Sequence, residues 1–451
     1  MRTRPEMYLK LFLTFLCLTG SLSSTAQKST CGLPALLRKI PALDSLRTLP
    51  QPLNAQLKTS AIDYGQQHPI PVVFHVVLSQ QQINQLGGRE GINQRIASQM
   101  EIINEDFNRS NSDSNRIPAA FKPLYGNIGV RFALAHVKPT GQPFNDTFEL
   151  YVTNKNGFEL YNNYKSGIGF TEAKYTAAGG LDAWDPAAYL NVWIINPLDT
   201  GKASRLAGLT IPPSFTGARY GISPWEQGIV LHYGAFGRRQ RATEYYVSTA
   251  NRGRTLTHEL GHFFDLWHIW GDDDGTCPGE PDGNDDGIAD TPPQAKEIFG
   301  SPQYPLYDAC TRTGPGIMFM NFMDYTDDVS KYLFTNEQAA RAKRQIQPGA
   351  PLYSLTRQPH LLQSDTNASR AINIYPNPAS NFINIFFERN PTQLKKITVS
   401  NLLGQEVYAI ETNEQPVSYY KIDVSGLSNG IYVAKFHYLK GKEARRIVVA
   451  R

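Results

Sequence analysis

Three of the chain's nine histidines fall within eleven residues, in the stretch His258-Glu259-Leu260-Gly261-His262-Phe263-Phe264-Asp265-Leu266-Trp267-His268. Residues four apart on a helix share a face, so His258 and His262 are spaced to bind one ion together. Glu259 lies beside the first of them, placed to accept a proton instead of ligating. His268 cannot join from a continuous helix, because six residues beyond His262 mean about 240° of rotation and about 9 Å of rise. The chain must therefore leave the helix near Asp265, through a left-handed turn that Gly usually makes and that Asp is one of few other residues to tolerate. Three imidazoles with a fourth position open form the pattern of a catalytic zinc, which supplies an acidified water near neutral pH. Plain packing on an amphipathic helix accounts for a lone HExxH, but not for a third His beyond a turn. The other six, His68, His75, His136, His232, His360 and His437, are scattered and read as packing or surface residues.

A second cluster of possible ligands lies at Asp282-Gly283-Asn284-Asp285-Asp286-Gly287-Ile288-Ala289-Asp290. Oxygen-bearing side chains at alternate positions before a Gly are how a short loop wraps a hard cation, so Asp282, Asn284, Asp286 and Asp290 are candidate calcium ligands. The closing Glu of a full calcium loop is missing. Asp272, Asp273 and Asp274 read equally as contributors or as surface charges.

These residues need elements to hold them. Residues 253–267 are helical in pattern, as are 91–107 and 336–346, the last with Thr335 or Asn336 as its cap. Strand candidates are 70–78, 130–135 and 190–195. Residues 27–58 carry Pro34, Pro41, Pro50 and Pro52 and lack helix or strand periodicity, so they read as a leader wrapped on a surface. Residues 358–370 are a polar linker. Short alternating segments then follow at 372–375, 382–387, 396–400, 406–410, 431–438 and 446–449, which fits a small β-sandwich over 371–451.

Composition bounds the alternatives. With 451 residues, 41% hydrophobic and 19% charged, the chain is an ordinary globular protein of more than one folded unit. A net charge of +4 gives no reason to expect nucleic acid. Residues 1–26 look like an export signal: Arg2, Arg4 and Lys10, an apolar run over 11–18, then Ser24-Thr25-Ala26. That run is too short for a membrane span, and no later one qualifies. Cys17 leaves with the signal, and Cys31, Cys277 and Cys310 remain, an odd number that implies one pair and one spare thiol. If the spare one is Cys31, in the leader, its thiolate would suit the open metal position and displace the catalytic water.

The histidine stretch resembles the extended zinc signature of the metzincin peptidases, and Met320-Asn321-Phe322-Met323-Asp324-Tyr325 resembles their Met-turn as found in the pappalysin family. Asp290-Thr291-Pro292 and Leu333-Phe334-Thr335-Asn336-Glu337-Gln338 extend the likeness, which covers residues 70–346. It implies an α+β, zincin-like catalytic domain over 59–357: an upper part with a twisted mixed sheet and two long helices, an irregular lower part, and a cleft between them. It also implies a hydrophobic floor at Met323, oxyanion stabilisation by Tyr325, substrate pairing with 206–211, and a disulfide between Cys277 and Cys310. A second family disulfide is absent, with Ser330 where one cysteine would fall. Val329 stands where members that prefer a basic residue after the scissile bond carry an acid. Cys31 resembles the cysteine switch of latent metzincin zymogens, with Arg47 and Lys58 as candidate cleavage points.

Three further motifs, Tyr375-Pro376-Asn377-Pro378-Ala379-Ser380, Asn401-Leu402-Leu403-Gly404-Gln405-Glu406-Val407 and Leu427-Ser428-Asn429-Gly430-Ile431-Tyr432, resemble the type A sorting domain of the type IX secretion system. The resemblance implies a Bacteroidetes-type cell, passage through the periplasm, and release or surface attachment. The combined expectation is a secreted zinc endopeptidase acting on proteins or peptides and made as a zymogen. Its rivals are a zinc hydrolase acting on a non-peptide bond and a surface adhesin with a vestigial zinc site.

Overall fold

The computed structural model describes residues 30–46, 69–204, 206–239, 244–272, 275–279, 285–362, 372–387, 394–412, 419–438 and 442–451. The export signal, Arg47, Lys58, Asp273, Asp274, Asp282, Asn284 and most of the linker lie outside these residues.

The region that carries the three clustered histidines is organised on one long apolar strand. The run IPVVFHVVL is β-branched and apolar on both faces, and such a run is at home inside a sheet. It forms β2 (Ile70–Leu78), every residue of which is buried. Strand β1 (Thr30–Cys31) precedes it in the leader, and β3 (Phe132–Leu134), β4 (Glu149–Val152), β6 (Leu190–Ile195), β9 (Leu206–Ile211) and β10 (Gly228–His232) follow. The sheet order is β1-β9-β10-β6-β2-β3, with β4 also pairing β2. All pairs are parallel except β9 with β10. Strands β5 (Phe158–Glu159), β7 (Pro197–Asp199) and β8 (Lys202–Ala203) make a separate small sheet.

Helices α2 (Gln80–Gln85), α3 (Gly88–Phe107) and α4 (Arg254–Phe263) follow their strands. Ile92, Ile96, Ile103 and Phe107 of α3 meet Phe74, Val76, Val192 and Ile194 of the sheet, together with Leu256, Leu260 and Phe263 of α4, in one core. Below α4 the chain is irregular. Among the described residues, 264–335 hold no strand, and their only helix is the single 3-10 turn Asp328–Ser330. Helix α5 (Asn336–Arg344) closes the region, started by a capping box in which Thr335 Oγ1 accepts from the Gln338 N–H and the Gln338 side chain accepts from the Thr335 N–H.

The leader departs from expectation. Residues 33–39 form helix α1 (Leu33–Lys39), which starts on Pro34 at its first turn. Its Leu33, Leu36 and Leu37 pack with Leu209, Ile211, Phe215 and Trp267 beside the cleft. Seven residues are too few for a visible period, and the helix exists because one face is buried.

The C-terminal module has two sheets, β11 (Ile372–Tyr375), β12 (Phe382–Phe387) and β15 (Tyr419–Asp423) in one, and β14 (Glu406–Glu411), β13 (Leu394–Asn401), β16 (Gly430–Tyr438) and β17 (Lys442–Val449) in the other. Ile383, Ile385 and Ile422 of the first face Ile397, Val399, Phe436 and Ile447 of the second across a single core.

Candidate metal centre

Helix α4 stops where the metal site needs it to. Asp265 sits at φ +69°, the left-handed region. The Leu266 N–H donates to Gly261 O at 2.9 Å and the Asp265 N–H to His262 O at 3.0 Å. These are the two bonds of a Schellman ending, with Asp in the place Gly usually takes. Arg341 Nε of α5 and Nε2 of Gln345, the residue that ends it, both donate to Asp265 Oδ2, at 3.1 and 3.3 Å, and so hold the turn from outside. The helix therefore ends four residues before the 253–267 reading, and the turn swings His268 back towards its partners.

All three imidazoles point their Nε2 atoms at one place. The Nε2 atoms of His258 and His262 are 3.2 Å apart, those of His258 and His268 3.2 Å, and those of His262 and His268 3.1 Å. Each Nδ1 is tied outward as a donor: His258 to Phe322 O at 2.7 Å, His262 to Leu266 O at 2.7 Å, and His268 to Asp272 Oδ1. Those bonds select the tautomer with bare Nε2 lone pairs, which repel one another unless a cation lies between them. A tetrahedral zinc with Zn–N of about 2.0–2.1 Å would space its nitrogens by about 3.3 Å. The donor set fits such an ion. Burial, and then the repulsion that a proton would meet from the adjoining His262, pushes His258 well below its ordinary range, so it stays neutral and free to ligate.

Cys31 Sγ completes the group: its sulfur and the three histidine nitrogens all lie within 4.8 Å of one another. The leader delivers it by adding β1 to β9 in parallel, with Cys31 opposite Gly208. Gly32 N–H then donates to Gly208 O at 2.9 Å. Burial, and then the Glu259 carboxylate, pushes the Cys31 thiol well above its usual range.

Glu259 is fully buried, with Oε2 receiving the Thr210 hydroxyl at 2.7 Å and Oε1 meeting no N–H or O–H. Burial pushes its carboxyl up to about 7, against lowering by Thr210 and Cys31. Strand β9 passes so close that a Cβ on Gly208 would sit 2.6 Å from Glu259 Cγ. Tyr325 stacks edge-on to His268, ring centroids 4.9 Å apart, and its hydroxyl donates to Cys31 O at 3.3 Å. Met323 lies under the helix, fully buried, and a Cβ on Gly261 would meet its sulfur at 2.3 Å. Asn321 Oδ1 accepts from the Met323 N–H at 2.9 Å while its amide donates to Gln338 Oε1 at 2.8 Å, so the cap of α5 locks this turn.

The structure thus brings together His258, His262, His268, Glu259, Tyr325, Met323 and Cys31. Of the acidic loop, the described Asp286 and Asp290 are not among them. Asp286 accepts from the Ile288 N–H and the Thr291 hydroxyl, and Asp290 from the Glu337 N–H. Among the described residues the only group placed to hold a metal is the histidine–cysteine one. Cys277 and Cys310 are disulfide-bonded and Cys31 is free. Asp272 corrects the surface-charge reading: its side chain is buried against His268 Nδ1, four residues on but beyond the helix. Thr210 and the carbonyls of Phe322 and Leu266 were missed. Their contacts to the site depend on the fold, and a carbonyl has no signature in residue type.

Comparison with known proteins agrees with this geometry. Residues 178–347 match the peptidase family described as pregnancy-associated plasma protein-A. Residues 373–450 match the secretion system C-terminal sorting domain. Mature mirolysin of Tannerella forsythia, solved with a cleaved peptide, is 34% identical with a TM-score of 0.55, over 66% of this chain and 100% of that one. A mutant of promirolysin from the same organism is 32% identical with a TM-score of 0.56, over 73% and 97%. An extracellular metalloprotease of Arthroderma otae is 41% identical over 91 residues, 20% of this chain, and one of Colletotrichum graminicola is 40% identical over 92, also 20%. The chain spans about 30% of the length of these two curated relatives. On the three-histidine site, the irregular lower part and these matches, the chain belongs to the pappalysin family of metalloproteases and carries a secretion-system sorting domain over residues 373–450.

Proposed function

We propose that the chain is a secreted zinc endopeptidase, held latent by its own leader until that leader is removed. The observation that carries this reading is the convergence of three bare Nε2 atoms within 3.2 Å of one another beside a buried carboxylate. His258, His262 and His268 would hold the zinc, which when bound supplies Lewis acidity to the scissile carbonyl and to the attacking water. Glu259 takes the proton from that water and hands it to the leaving amine; a carboxyl raised towards neutrality suits both steps. The Tyr325 hydroxyl, released from Cys31 O, donates to the carbonyl oxygen as charge develops there. Met323 gives the imidazoles an apolar floor. An extended substrate adds to the outer edge of β9 by backbone pairing.

Latency follows from the same contacts. Cys31 would serve as a further ligand to the ion the three histidines hold, and β1 takes the edge of β9, so one short segment blocks both the chemistry and the docking of substrate. We assign the signal to 1–26, the leader to 27–58, the catalytic domain to 59–357, the linker to 358–370 and the sorting module to 371–451. The module hands the chain to the type IX machinery for release or surface attachment. A calcium ion in the 282–290 loop has support from sequence pattern and from the buried Asp290 Oδ1, which no hydrogen bond meets. An adhesin with a vestigial site is not favoured, because binding would have no use for a buried, unneutralised Glu259.

The test is casein digestion by leader-free protein, with and without a chelator, beside Glu259→Ala. Retained digestion in either control would sink the peptidase mechanism. For latency, Cys31→Ala should mature faster than wild type; equal rates would remove Cys31 from the account.

A further inference from the structure

Two charged side chains line the same cavity as His258, Glu259 and Tyr325 and have no role in the chemistry above: Asp328 and Lys331. The leader's Thr30 and Cys31 wall the cavity on another side, so removal of the leader opens it. Both charged residues are deeply buried, Asp328 at 2% and Lys331 at 7% exposed. Their hydrogen bonding differs.

Asp328 is already engaged. Its Oδ2 accepts from the backbone N–H groups of Arg252 and Arg254, at 2.8 and 3.2 Å. These lie at the start of α4, whose own cap residue, Gly253, has no side chain to receive them. The carboxylate therefore caps the helix and faces the positive end of its dipole. Asp324, whose charge also acts on Lys331, is saturated as well: its oxygens take Gln294 Nε2 and the N–H groups of Ile298 and Tyr325.

Lys331 is not engaged. Its carbonyl accepts from Arg254, but no hydrogen bond or ion pair to its Nζ occurs among the described residues. The carboxylates of Asp328, Asp324 and Glu259 favour its charge from a distance, against the desolvation that lowers it. Lys331 lines the cavity, and with no protein acceptor for its ammonium the partner that can supply one is a group entering through that cavity.

We propose that Lys331 is a specificity-determining residue and that this cavity admits the carboxylate side chain of a Glu or Asp flanking the scissile bond. The proposal rests on the peptidase reading and deepens it. The entering carboxylate gives Nζ its missing acceptor in a site where water is scarce and charge-assisted bonds are strong. A Lys or Arg side chain would instead set a second cation beside an unpaired one, with the nearest acid occupied by a helix terminus.

The experiment uses leader-free, zinc-loaded enzyme and quenched peptides that differ only in the residues flanking the cleaved bond, carrying Glu, Gln or Arg. The Glu peptide should exceed the Arg peptide in kcat/KM by about tenfold or more, the factor that 1.4 kcal/mol represents. Lys331→Met should bring the ratio close to one, and Lys331→Glu should invert it. A ratio cancels differences in folding and metal content, so a merely structural role for Lys331 would leave it unmoved. Equal or better cleavage of the Arg peptide by wild type overturns the proposal, as does an unchanged ratio in Lys331→Met. Should a variant fail to fold, the wild-type ratio decides alone. Absence of any cleavage, of these peptides and of casein, fails the peptidase reading itself and this proposal with it.

Discussion

The interior of the metal-holding region and the interior of the C-terminal module are built on opposite terms. The first buries Arg95, Glu101, Asp106, Lys174, Glu226, Arg254, Glu259, Asp324, Asp328 and Lys331 as well as His75, His232, His258, His262 and His268. The second buries Asn384, Thr398, Ser400 and Thr412 but, among the described residues, no charged side chain. An apolar core needs only shape and water exclusion. A charged core stands only while every charge has its counterpart, and some counterparts here come from outside the polypeptide: a cation for the imidazoles and, on our proposal, a substrate carboxylate for Lys331. One region is thereby sensitive to what it binds. The other should be indifferent.

That contrast can be broken in four places, in descending order of effect. Arg254 bridges Asp106 and Asp113 and reaches the carbonyls of Asp328 and Lys331. Arg254→Met leaves buried carboxylates uncompensated, and calorimetry should show the catalytic transition weakened by about 3–5 kcal/mol with the module's transition unmoved. Chelation comes next. If zinc is present at about a thousand times its dissociation constant, stripping it should cost about 4 kcal/mol in the same transition, again leaving the module alone. Ile397→Ala reverses the pattern: a loss on the order of 3 kcal/mol in the module and impaired export, but unchanged casein hydrolysis by the trimmed catalytic domain. Arg341→Ala is the smallest, about 1 kcal/mol in the catalytic transition, because Asp265 is partly exposed. A single shared transition in all four proteins would refute the idea of two independent interiors.

How much of this was legible in sequence depended on how local the cause was. Strands β2 and β6 matched the expected 70–78 and 190–195, because a run of buried apolar residues has no other comfortable home. The three histidines were legible because helix spacing and one turn decide their convergence. Helix α5 was expected at 336–346 and forms at Asn336–Arg344, its start marked by a Thr-x-x-Gln pair visible in the chain. Strands β10 and β15 were missed. They are five residues each, and what makes them strands is pairing with β9, β6 and β12, not any pattern in their own residues. The Thr210 hydroxyl on Glu259, 49 residues away, and the cavity shared by Glu259, Asp328 and Lys331 were beyond reach for the same reason. No local pattern announces a contact that the fold alone creates.

The turn at Asp265 has a consequence for how chains of this kind diverge. A glycine there stands alone, since it adopts the left-handed conformation without help. An aspartate does not: its acceptor is bound to Arg341 and Gln345, and Arg341 reaches on to the Asp286 carbonyl at 3.1 Å. Positions 265 and 341 are thus expected to change as a pair across homologues, acid with arginine and glycine with almost anything. A lineage that lost the arginine while keeping the acid would carry a third histidine on a loosened arm.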